Sequence, residues 1–177
     1  MALTLAPSAS PQPVAHWSFD DGQGTTTQDS TNNNHDGTIT GAAWVEESRC
    51  VSGKCLSFDG SDDRVDVADS NNLSFTSTSS KFTISAWVKT NSVASGDKAI
   101  VSKYDSANAG VEYIFAADGD ELVLFLDDDG VTGSQYEVNT TNANLSTNTW
   151  TYVTVVVDMS NDTETFYKNG QPLADTN

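Results

Sequence analysis

The chain has 177 residues, 37% of them hydrophobic, and carries 25 acidic against 8 basic side chains, a formal net charge of −17. That length suits one domain with a proper core, and nowhere do about 18 apolar residues run together as a bilayer span needs. A surface so acidic repels duplexes and anionic membranes, so neither nucleic-acid binding nor membrane insertion is expected.

Residues 1–13, MALTLAPSASPQP, have no basic n-region and no sustained apolar stretch, and read as a flexible tail or linker rather than a signal peptide. Residues 14–177 read as a single domain. No long segment has helical periodicity. Short β-rich runs recur instead between clusters of Gly, Asn, Asp and Ser: VAHWSF (14–19), KCLSF (54–58), RVDVA (64–68), FTISAWVKT (82–90) and KAIVSKY (98–104). VEYIFAA (111–117), ELVLFLD (121–127), SQYEVNT (134–140), WTYVTVVVD (150–158) and ETFYKNG (164–170) follow. Many short strands joined by turn signals predict an all-β fold, an antiparallel two-sheet sandwich or jelly roll. In FTISAWVKT, Phe82, Ile84, Ala86 and Val88 share one face, and Thr83, Ser85, Trp87 and Lys89 the other. WTYVTVVVD carries bulk on both faces, which predicts a central strand beneath a binding surface.

Nineteen of the acids are Asp and six are Glu, a bias toward turns and calcium ligands over helices. The stretch 20–37, DDGQGTTTQDSTNNNHDG, is the richest in oxygen donors, with Asp20, Asp21, Asp29, Asn32, Asn33, Asn34 and Asp36. Calcium takes about six to eight oxygens. The alternative is an Asn/Asp-rich loop that satisfies its own backbone. An EF-hand is excluded, because aligning Asn32, Asn34, Asp36 and Gly37 to its loop start puts Ala43 where the bidentate Glu belongs.

Cys50 and Cys55 are separated by four residues, not the two of a redox pair, and no α/β pattern surrounds them. Structural zinc needs four ligands, and the only other candidates are His16 and His35. What remains is a short-loop disulfide closing a turn at Ser52-Gly53, or two free thiols; the disulfide implies an oxidising compartment. Next, FDGSDDRVDV reads as a hairpin turning at Asp59-Gly60, with Asp62 and Asp63 at its exit, so that Cys50–Asp66 as a whole reads as the corner of a β-sheet. Sugar binding calls for exposed rings that stack on pyranose faces, and Trp87, Tyr104, Tyr113, Tyr136, Trp150 and Tyr152 are candidates. Trp17 and Trp44 read as core, and His16 and His35 as structural or exposed.

HWSFDDGQGTTTQDSTNNNHDGTITG, GKCLSFDGSDDRVDV, FTISAWVKT, WTYVTVVVD and ETFYKNGQPL, in that order, resemble bacterial laminin G-like domains across residues 14–175. Those domains belong to the concanavalin A-like lectin/glucanase jelly rolls, with pentraxins as cousins. The resemblance implies two antiparallel sheets packed face to face, secreted or displayed on a cell surface. It also implies a module that binds a glycan or surface glycoprotein, or that is appended to larger enzymes and adhesins. A structural calcium in related jelly rolls points to Asp20 and Asp29, with Asn34 nearby in the same loop, as metal ligands. Calcium-dependent binding in pentraxin-like relatives points to KYDSANAGVEY (103–113), with Asp105, Asn108, Tyr104 and Tyr113 as ligand-binding residues. Family members continue past the Tyr-x-Asn-Gly turn with further strands. Here the usual last strands are not seen before Asn177, so a fragment of a longer chain is expected, with a partner chain that supplies strands or a smaller sandwich as the alternatives.

The glucanase branch uses Glu-x-Asp-x-Glu on one strand face. Asp118-Gly119-Asp120-Glu121 has the wrong spacing, and Glu112, Glu137 and Glu164 stand apart, so no catalysis is expected. The sequence therefore points to a non-catalytic extracellular recognition module for carbohydrate or glycoprotein, with calcium as a candidate cofactor. Its rival is a structural or adhesive surface domain without a sugar site.

Overall fold

The computed structural model describes residues 12–75, 80–105, 110–126, 136–140 and 143–174. Where the sequence reads as one domain from residue 14, the chain divides into two compact units, Met1–Leu73 and Ser74–Asn177. No helix among the described residues is long and apolar enough to cross a membrane.

In the first unit, β1 (Thr26–Thr27), β2 (Gly37–Thr40), β3 (Ala43–Val45), β4 (Cys55–Ser57) and β5 (Arg64–Val67) are short. They form a three-stranded antiparallel sheet, β1-β2-β5, and a separate pair, β3-β4. The sheet corner expected in Cys50–Asp66 is present, while the hairpin pairing read into FDGSDDRVDV is corrected. Residues 58–63 turn, but β4 pairs with β3 and β5 with β2, so the segment is a corner joining two sheets. VAHWSF is corrected too: it makes only the isolated bridge Trp17–Asp29, and Phe19 takes a φ of 56°, incompatible with a continuing strand. Trp17 and Trp44 are half-buried rather than core, and their indole N–H groups donate to the carbonyls of His35 and Gly24.

Cys50 and Cys55 are joined by a disulfide, with Cα atoms 5.7 Å apart. Its loop is tied to the first Asp-rich segment, because Lys54 N–H donates to Asp20 Oδ1 at 2.9 Å. Only glycine suits position 53: its φ is +53°, and a Cβ there would collide with that same Asp20 oxygen.

The second unit contains β6 (Lys81–Val88), β7 (Asp97–Asp105), β8 (Gly110–Asp118), β9 (Glu121–Leu126), β10 (Tyr136–Asn139), β11 (Thr151–Asp158), β12 (Thr163–Lys168) and β13 (Gln171–Pro172). They form two four-stranded antiparallel sheets, β10-β9-β8-β7 and β13-β12-β11-β6. The expected alternation holds in β6 and β11. Phe82 is buried with Ile84, Ala86 and Val88 packed beside the core, and Val153, Val155 and Val157 are wholly buried. Phe115, Leu122, Leu124 and Leu126 of one sheet meet Phe166 and the valines of the other in a single apolar cluster. The Phe115 and Phe166 ring centroids lie 6.4 Å apart across it. This is the expected sandwich: each sheet hides one apolar face against the other. Asn169-Gly170 turns β12 into β13, both residues at positive φ (50° and 77°), the conformation that a two-residue hairpin needs.

Candidate functional site

The period of two that buries Phe82, Val153 and Phe166 sends their neighbours outward. On β6 these are Thr83, Ser85 and Trp87; on β11, Tyr152, Thr154 and Val156; on β12, Thr165 and Tyr167. β11 lies between β6 and β12, as its two bulky faces foretold. Trp87 stands opposite Tyr152, with ring centroids 5.3 Å apart, and keeps 50% of its surface exposed. The Tyr152 hydroxyl donates to Ser85 Oγ at 2.9 Å, which fixes the phenol beside the indole. One row along, Thr154 sits between Ser85 and Tyr167.

Charge is confined to the two ends of this face. At one end Lys81 Nζ meets Asp158 Oδ2 at 2.7 Å. Hydrogen bonds from Lys81, Ser160 and Asn161 hold the Asp158 carboxyl well below the usual carboxylate range. At the other end Lys89 Nζ lies 4.9 Å from the centre of the Trp150 ring. Exposed π faces beside uncharged hydroxyls suit stacking and hydrogen bonding to a polyol.

The residues named as metal ligands are placed differently. Asp29 is buried, and its carboxylate accepts four hydrogen bonds. Oδ1 takes the N–H groups of His16 and Thr31, at 3.0 and 2.9 Å. Oδ2 takes the Thr31 hydroxyl and the His35 N–H, at 2.7 and 3.0 Å. Burial alone would raise this carboxyl, but those bonds outweigh it and hold it well below the usual range. A carboxylate has about four lone-pair sites, so Asp29 is committed to the loop backbone and does not suit a calcium ion. Asp20 is exposed and caps the disulfide loop, and Asn34 is exposed at a φ of 57° with its Nδ2 donating to Asn32 O. The acids that do converge among the described residues are Asp59, Asp62 and Asp63, with carboxylate oxygens within 4.8 Å of one another. Such oxygens suit a hard cation like calcium, but two of the carboxylates already order the corner. Asp59 Oδ1 accepts from Ser61 N–H, and Asp63 Oδ2 accepts from Asp59 N–H.

Of the residues named for a ligand in 103–113, Tyr113 is corrected to a core residue. It is 6% exposed, lies against Phe75 and Phe82, and burial pushes its hydroxyl up to about 12. Asn108 lies outside the described residues, and for Tyr104 and Asp105 only the backbone, at the end of β7, is described. Tyr167 is the residue that reading by composition missed. Its signal was the alternation in ETFYK, where an inward Phe166 forces Tyr167 outward.

The strand glutamates sit apart: Glu112 pairs with Lys103 on the neighbouring strand, Glu137 accepts from Asn139, and Glu164 is buried. His35 is buried and its carbonyl accepts from the Trp17 indole N–H, and His16 is exposed with its ring at 2.7 Å from Ser30 Oγ.

A laminin G-type family model, described as the concanavalin A-like lectin/glucanases superfamily, matches residues 59–177. No curated protein and no solved structure matches the chain. The matched segment runs from the acidic corner at Asp59 through both sheets of the second unit, well over half of the 177 residues. The likeness read in residues 14–58 lies outside it. Both the family match and the face-to-face antiparallel sheets lead to one conclusion: the chain belongs to the concanavalin A-like lectin/glucanase superfamily, as a laminin G-like domain.

Proposed function

We propose that this is a non-catalytic recognition module that holds carbohydrate on the outer face of the β13-β12-β11-β6 sheet. One observation carries the reading. Trp87 and Tyr152, paired at 5.3 Å, stand on the solvent side of a strand pair whose other side already supplies a complete apolar core. Rings that the fold does not need for burial are available for a ligand. Family membership supports a carbohydrate- or protein-binding role in general, and the separation of Glu112, Glu137 and Glu164 supports binding over hydrolysis, which needs two cooperating carboxyls. The domain works outside the cytosol, where the Cys50–Cys55 disulfide persists. The proposed grip does not call on calcium, because the outward side chains described on β6, β11 and β12 offer rings and hydroxyls, and their one carboxylate, Asp158, is paired with Lys81.

A glycan array on wild type and Trp87→Ala, in calcium and again in EDTA, tests this. Saturable binding by wild type that EDTA leaves intact and Trp87→Ala loses is the expected result. A folded protein that retains no glycan would sink the sugar reading in favour of a structural or adhesive domain.

A further inference from the structure

We propose, resting on the sugar reading above, that the outer face of the β13-β12-β11-β6 sheet binds along the length of an uncharged polysaccharide chain through at least two ring subsites. It takes neither an acidic glycan nor a lone terminal sugar.

The charge distribution selects the ligand's charge. The chain carries 25 acidic against 8 basic residues, so a polyanion is repelled at long range. A module for carboxylated or sulfated sugars offsets that with arginines at the site. None of the outward side chains described on β6, β11 and β12 is an arginine. The two lysines bordering the face are engaged, Lys81 with Asp158 and Lys89 over the Trp150 ring. Between these ends the outward side chains are hydroxyls, aromatic rings and one valine, which match a neutral polyol.

The spacing of the rings selects its length. Trp87 and Tyr152 face each other in one row, while Tyr167 pairs with Thr154, two residues along and one strand further from Trp87. With strands about 4.8 Å apart and a rise of about 3.4 Å per residue, Tyr167 lies roughly 8 Å from Tyr152 and roughly 12 Å from Trp87. One pyranose cannot cover both positions, but successive residues of an extended chain can. The face is also an open sheet surface, where a single sugar buries too little area to be held. Length supplies the missing contact. Rings with equatorial hydroxyls and axial C–H groups, as in a β-1,4-linked glucan, present the apolar faces that Trp and Tyr stack on.

The test is calorimetric titration of the folded protein with cellohexaose, glucose and polygalacturonate, backed by electrophoretic retardation in hydroxyethyl cellulose. The variants are Trp87→Ala, Tyr167→Ala and, as an exposed aromatic of the first unit, Phe58→Ala. Wild type should bind the hexaose and be retarded by the neutral polymer, with affinity for glucose at least about tenfold weaker. Trp87→Ala and Tyr167→Ala should each weaken hexaose binding about tenfold, and Phe58→Ala should leave it unchanged. Preference for polygalacturonate would overturn the charge assignment while leaving a sugar site in place. Equal affinity for glucose and hexaose, or an unaltered Tyr167→Ala, would overturn the two-subsite assignment. Failure to bind any sugar would bring down the underlying reading instead.

Discussion

The two units commit their polar and aromatic residues in opposite ways. In residues 12–73, Ile39 is the one buried aliphatic side chain among the described residues, and order comes from acids turned onto the chain's own backbone. Asp29 gathers residues 16, 31 and 35, and Asp20 holds the disulfide loop. In the second unit, apolar burial between two sheets provides the order, and the rings of Trp87, Tyr152 and Tyr167 are surplus to it. An abundance of aspartate is therefore a poor guide to ligand binding in this chain, and a misplaced-looking tryptophan a better one.

The sharpest way to break this contrast is at its apolar half. Phe166→Ala removes a ring that is 1% exposed from the centre of the sandwich, and should destabilise the second unit by about 3–5 kcal/mol in a urea titration. A loss under about 1 kcal/mol would show that the two sheets do not share one core.

The polar half breaks at Asp29. Asp29→Asn keeps the size but replaces two acceptor oxygens with one, and should cost about 2–3 kcal/mol. Its pH dependence has a fixed sign. Because the folded carboxyl sits below its unfolded value of about 3.9, its stabilisation is complete above that pH and drains away as pH falls through the folded value. Thermal melts from neutral pH into acid should show the wild type losing this advantage over Asp29→Asn. An unchanged gap across the acid range would contradict the hydrogen-bonding account.

A smaller effect is expected from the disulfide. The Cys50→Ala, Cys55→Ala double variant should lose about 2 kcal/mol, because the loop it closes is short. Trp87→Ala should change stability least, within about 0.5 kcal/mol by the same titration, since half of the side chain is exposed. A large loss there would mean that the ring is structural.

How much was legible depended on the range of each interaction. β6 and β11 are long, alternate cleanly, and declared both their inward faces and β11's central place. At 58–63 the corner was legible but the pairing was not, because a turn signal is local while the partners of β4 and β5 are strands further back, β3 and β2. Asp29 read as a metal ligand for a similar reason: the donors that saturate it come from both sides of it in sequence. In VEYIFAA the alternation already sets Val111, Tyr113 and Phe115 against Glu112, so the inward Tyr113 was readable there, and only the family likeness of KYDSANAGVEY made it look like a ligand residue. Tyr167, by contrast, was readable from the Phe166 beside it.

The central claim is that the outward rings of β6, β11 and β12 grip a neutral glycan while the aspartate loops serve the fold. Calorimetric titration of cellohexaose into wild type and Trp87→Ala, each shown to be folded by circular dichroism and each run with and without EDTA, tests it most directly. The account predicts binding by wild type, indifferent to EDTA, and at least about a tenfold loss in the variant. Equal binding by the two proteins, or binding that EDTA abolishes, would contradict it.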